Sequence, residues 1–107
     1  MARKTDIVKI RSKINLFKKY LARMGYKDAH YILFGSWAKG KQGEWSDIDL
    51  CVISDKFSDN YFEESTRLRI LANEIDCSLE PIARKPEDLN DKYSTLSSEI
   101  KKWGIAV

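Results

Sequence analysis

The chain has 107 residues, of which 43% are hydrophobic and 33% charged, with a formal net charge of +3 at pH 7. That length suits one compact domain over residues 1–107, and the composition excludes disordered, collagen-like and coiled-coil chains. The longest apolar runs fall far short of the roughly 20 residues that cross a bilayer and MARKTDIVKIRSK carries no apolar signal block, so no membrane association and a cytoplasmic location are expected.

Ile7, Ile10, Ile14, Phe17, Leu21 and Met24 recur at spacings of three and four, which predicts an amphipathic helix from Asp6 to Met24 stopped by Gly25. The same stretch is strongly basic: Arg3, Lys4, Lys9, Arg11, Lys13, Lys18, Lys19 and Arg23 face only Asp6. A solvated helix face accounts for this, with an acidic partner or RNA as the other use of such a face. Direct nucleic-acid binding is not expected, because no aromatic-basic motif of the RRM kind accompanies the charge. Tyr31–Phe34 reads as a short buried strand breaking into a Gly-Ser turn. A second strand is predicted from Asp47 to Ile53, with Asp47 and Asp49 on one face and Ile48, Leu50 and Val52 on the other. His30, the single histidine, is expected as a polar residue at a strand edge.

Helical spacing returns from Asp59 to Asn73, capped by Ser58 or Asp59, with Tyr61, Phe62, Leu68, Leu71 and Ala72 turned inward. A third strand is expected from Glu74 to Ile82, with Asp76, Ser78 and Glu80 on one face, Ile75, Cys77 and Leu79 on the other, and Pro81 marking an exposed edge or an end. Residues 83–93 look like a polar loop with a helical turn opened by Pro86, and Ser94–Trp103 a short helix ended by Gly104. Cys51 and Cys77 belong to no zinc pattern and are expected as buried free thiols in strands. This order of elements points to a small α+β, α/β-like domain whose helices pack on a mixed sheet of three or more strands.

Within FGSWAKGKQGEWSDIDLCVI, residues 34–53, two carboxylates two positions apart on a strand project from one face, about 7 Å apart. They suit one or two hard divalent cations such as Mg²⁺, which take oxygen ligands and share their shell with phosphates and water. Asp76 is the expected third carboxylate and Glu80 the second choice. Gly35 lets backbone approach a ligand closely, and Ser36 offers a hydroxyl and an amide at the start of a short helix suited to phosphates. Lys39 and Lys41 add positive charge nearby.

Gly35-Ser36-x-Ala38-x-Gly40 followed by Ser46-Asp47-Ile48-Asp49-Leu50 resembles the GSx10DxD signature of minimal nucleotidyltransferases in the DNA polymerase β-like superfamily, of the type that occurs as antitoxin beside a HEPN protein. EIDCSLEPI and SSEIKKWGIAV resemble further segments of that family. The resemblance implies a nucleotidyltransferase fold, a triphosphate held by Gly35, Ser36, Lys39 and Ser46, and two Mg²⁺ ions on Asp47, Asp49 and Asp76. It also implies ATP as donor and transfer of AMP to a tyrosine of a HEPN RNase toxin, in a hetero-oligomer with it. Where relatives often carry arginine after Gly-Ser, this chain has Trp37, and Trp45 precedes the Ser-Asp pair. Either indole can stack on a base or a partner, or simply pack around the loop. Two other readings stand beside the enzymatic antitoxin: nucleotidyl transfer to a small hydroxylated molecule, and a binding module that neutralises a toxin through its basic first helix and Trp103 with little catalysis.

Overall fold

The computed structural model describes residues 4–43 and 46–107, with the side chains of Lys4, Thr5, Asp6 and Lys9 outside that description. Arg3 and Trp45, both singled out in the sequence, lie outside the described residues. The chain runs α1 (Lys4–Arg23), β1 (His30–Phe34), α2 (Gly35–Lys39), β2 (Ile48–Ile53), α3 (Tyr61–Ile75), β3 (Leu79–Arg84), a 3-10 turn (Pro86–Asn90), α4 (Thr95–Trp103) and β4 (Ile105–Ala106). The strands form one mixed sheet in the order β3-β2-β1-β4, antiparallel except for β2 and β3, which run parallel. This is an α+β architecture consistent with the nucleotidyltransferase fold.

Two apolar layers fix the helices. Ile10, Ile14, Phe17 and Leu21 of α1 pack with Leu68 and Ala72 of α3 on the face carrying Leu33, Ile48, Leu50 and Val52. Ile100 of α4, with Leu96, covers the opposite face on Ile32, Cys51, Ile53 and Ile82. The alternation of strand side chains thus feeds both layers, as a sheet with helices on each face requires. The outer edge of β3 is closed to further pairing by two devices. Pro81 has no N–H to offer, and the Ala83 N–H, of the same parity, donates to Ser65 Oγ of α3 at 2.9 Å.

Several expectations need correction. Helix α3 continues to Ile75, whose side chain packs against the α1 core two turns beyond Leu68, so β3 begins only at Leu79 and Asp76 is not on it. Asp76 instead caps the helix, its N–H donating to Ala72 O at 2.9 Å. The N-cap of α3 is Asn60, whose side chain accepts from Glu63 N, not Ser58 or Asp59. Met24 and Phe62, expected inside, are 58% and 84% exposed: Met24 falls after α1 has ended at Arg23, and Phe62, in the first turn of α3, lies on the side of Thr66 and Arg69 rather than with the buried Glu64, Leu68 and Ala72. Cys51 is buried as expected, but Cys77 is exposed in the turn between α3 and β3. No helix among the described residues is long and apolar enough to cross a membrane.

Candidate active site

Strand β1 ends at Phe34 and α2 starts at once with Gly35, whose φ of 73° lies in the left-handed region. A Cβ at Gly35 would sit 2.1 Å from Asp49 Oδ2 and 2.9 Å from Asp49 Cγ. Glycine is therefore required twice, by the dihedral and by the carboxylate lying against it. Phe34 pairs with Asp49 across the β1–β2 ladder, which is why the helix start and the aspartate abut. Helix α2 is stopped after one turn by Gly40, at φ 72°, while the Lys41 N–H returns to Ser36 O at 2.9 Å. The loop then folds back on itself: Ser46 Oγ accepts from Gly43 N at 2.7 Å, and Trp37 Nε1 donates to Ser46 O at 3.4 Å. Trp37 thus braces the loop that delivers the two aspartates.

Asp49 is the second residue of β2 and points to the α4 face, while Asp47 precedes the strand and is exposed. In the parallel β2–β3 register Asp49 stands beside Glu80. Matched residues on adjacent strands share a face at roughly 4.8 Å strand spacing, so Glu80 is the carboxylate of β3 that the fold sets next to Asp49. Burial pushes the Asp49 carboxyl up to about 6, with repulsion from Asp47, Glu80 and Glu99 adding to it. Glu99 comes from α4 and pairs with Lys39 of α2 at 2.9 Å, so Lys39 is tied to the rim of the acidic group.

Asp76 lies off β3 and is engaged by other partners. Its carboxylate pairs with Lys13 of α1 at 2.5 Å and accepts from the N–H and the hydroxyl of Ser78 at 2.8 and 2.6 Å. The Lys13 contact, with the two Ser78 bonds, holds it down to about 2. It meets Asp47 only across a recess of about 340 Å³ that also involves Trp37, Ser46 and Ile10. Glu80 is held in its turn by the Arg69 guanidinium of α3. Among the described residues no three His, Cys, Asp or Glu side chains converge as a metal-holding group. Asp47 and Asp49 nevertheless fit Mg²⁺: they supply hard anionic oxygens, leave the rest of the shell to water and phosphate, and form a crowded negative site that a cation would relieve. The roles of Glu99 and Arg69 carry no signal in the sequence, since both are ordinary charged positions on helices.

A mixed sheet on which a helix-starting Gly-Ser lies against the carboxylate of β2 places the candidate site at that corner of a nucleotidyltransferase fold. Residues 14–103 match the family model described as a nucleotidyltransferase domain, and the chain belongs to that family. Two solved structures share the fold. One is a toxin–antitoxin crystal structure with AMP-PNP, at TM-score 0.60 and 24% identity, covering 89% of this chain and 69% of that one. The other is a mutant of the toxin–antitoxin MntA-HpeT, at TM-score 0.60 and 23% identity, covering 91% and 70%. No curated protein gives a significant match to the chain.

Proposed function

We propose that the protein is a Mg²⁺-dependent nucleotidyltransferase that transfers AMP from ATP to a hydroxyl acceptor, a tyrosine of a partner HEPN-type toxin, and so acts as an antitoxin. The observation that carries this reading is the abutment of Gly35 and Asp49, with Asp49 Oδ2 where a Cβ would stand. It puts the helix start that would grip phosphates in contact with a carboxylate that would hold the cation. The family membership supports nucleotidyl transfer, and the AMP-PNP in one neighbour, an ATP analogue, supports the donor. The toxin–antitoxin nature of both neighbours supports the partner.

In this reading the acceptor oxygen attacks the α-phosphorus, the bond from that phosphorus to the bridging oxygen of the β-phosphate breaks, and pyrophosphate leaves. The Ser36 hydroxyl and the amides opening α2 hold the triphosphate, and Lys39 brings a positive charge to the same rim. Ser46 contributes by closing the loop that presents Asp47. Asp47 and Asp49 hold the cation, one ion or two, which when bound neutralises phosphate charge and favours the alkoxide form of the acceptor. Glu80 takes the acceptor proton in place of Asp76, a choice supported by its register with Asp49 and by the commitment of Asp76 to Lys13 and Ser78. The test uses α-labelled ATP, Mg²⁺ and a HEPN partner. Label is expected on the partner with the wild type, and at least ~100-fold less with Asp47→Asn or Asp49→Asn, as for loss of a group that stabilises transition-state charge. Toxin neutralisation that persists undiminished in both variants would show a binding module instead.

A further inference from the structure

The third carboxylate is the odd member of the acidic group. Asp49 is fixed by its fit against Gly35. Glu80 lies in register beside it, yet its carboxylate leans outward to Arg69, a residue whose side chain is 58% exposed on the outer face of α3. Arg69 reaches Glu80 across the β3 edge from the same helix whose Ser65 closes that edge. Repulsion accounts for the posture: Asp47, Asp49 and Glu80 are three like charges on one corner of the sheet, and the Arg69 guanidinium is the counter-charge that Glu80 meets. The Arg69 guanidinium itself is held further protonated by Glu80 first and by Asp47 at longer range, so it senses both acids.

We infer that Arg69 is a positioning residue that holds Glu80 at the sheet edge while no cation is bound, and that cation binding on Asp47 and Asp49 releases Glu80 from Arg69 toward the site. The inference rests on the cation reading above and adds to it an exchange of partners. An exposed ion pair is weak enough for such exchange to be reversible, and its loss changes an equilibrium by no more than about fivefold. The opposing design, in which Arg69 belongs to the cation or phosphate site itself, predicts weaker binding when it is removed.

Mn²⁺ binding to the nucleotide-free protein, followed by the loss of the free-ion electron paramagnetic resonance signal, separates these outcomes. Arg69→Gln is expected to bind Mn²⁺ about two- to fivefold more tightly than wild type, Arg69→Lys to fall between them, and all three to melt within a few degrees of one another. Removing a positive charge would also tighten binding through its field alone, so the same substitution is made in a Glu80→Gln background. Release of Glu80 requires the gain to vanish there; a gain of equal size in both backgrounds, no gain, or weaker binding overturns the inference. Asp49→Asn distinguishes the two levels. If it abolishes Mn²⁺ binding while Arg69→Gln changes nothing, the cation site stands and the Arg69 role falls; if wild type and Asp49→Asn bind alike, both fall.

Discussion

Replacing Gly35 by alanine tests the central contact of the site. The new Cβ would lie 2.1 Å from Asp49 Oδ2, 2.9 Å from Cγ and 3.1 Å from Cβ, in a backbone with φ 73°. Two penalties add. A residue with a Cβ in the left-handed region costs about 1–2 kcal/mol, and relieving the overlap by moving the half-buried Asp49 or the start of α2 costs about 1–3 kcal/mol. The sum, about 2–5 kcal/mol, is a large part of the about 5–15 kcal/mol that holds a domain together, and corresponds to a fall in Tm on the order of 10–30 °C. Urea denaturation of Gly35→Ala, Asp49→Ala and the double variant measures it. Truncating Asp49 removes the two nearest atoms and leaves its Cβ, so the double variant should recover the steric part and keep the dihedral part. A coupling of about 1–3 kcal/mol between the two sites is expected. A destabilisation below about 1 kcal/mol for Gly35→Ala, or strict additivity with Asp49→Ala, would refute the contact on which the proposed site depends.

The two cysteines should react very differently. Burial pushes the Cys51 thiol up to about 12, while Cys77 is exposed; at pH 8 a disulfide reagent should modify one thiol of the native protein at least about 1000-fold faster than the other and both alike in denaturant, and two fast native thiols would contradict the packing of β2 under α4. Asp76 supplies a pH dependence. Its folded value of about 2 lies below the ordinary aspartate value of 3.8, so its contribution is present above about pH 4 and is lost as the pH falls through 2. Because the Lys13 pair is partly exposed, that contribution is discounted to about 1 kcal/mol. Asp76→Asn should destabilise by that amount at pH 6 in chemical denaturation, with the difference closing below pH 4; a constant difference across that range would exclude the carboxylate as its source.

Much of the fold follows from periodicity. The three- and four-residue spacing from Ile7 to Leu21 marks the buried stripe of α1, and the alternation in IDLCVI gives β2 its faces. The Gly-Ser and Asp-Ile-Asp pairs also announce themselves, because each depends on residue types at short range. Legibility ends where an element is bounded by tertiary contact. EIDCSLEPI alternates well enough to read as a strand from Glu74, yet Ile75 finds more apolar surface by extending α3, and that shift takes Asp76 off the sheet and leaves Glu80 beside Asp49. The parity within the true strand was visible; its starting point was not. Strand β4, two residues after Gly104, is too short to show any pattern and exists through its pairing with Ile32 and Leu33. Phe62 and Met24 show the complementary limit, since spacing marks an apolar stripe but neither its exact edge, which leaves Phe62 outside, nor the last residue of the helix, which leaves Met24 beyond it.

The parallel pairing of β2 with β3 has a bearing on how the protein comes into being. An antiparallel hairpin such as β1–β2 can form from neighbouring chain, whereas two parallel strands meet only after an intervening crossover has docked. Here that crossover is α3, and Asp49 and Glu80 lie on opposite sides of it. A growing chain that has emerged only as far as β2 already possesses Gly35, Ser36, Asp47 and Asp49, but the acid that stands beside Asp49 arrives only after α3 and β3 have followed and docked, a non-local step of folding. Complete assembly of the acidic corner is thereby coupled to the docking of β3 on β2, so a chain folded only through β2 would bind phosphate or cation poorly even though the residues of the recognisable motif are all in place.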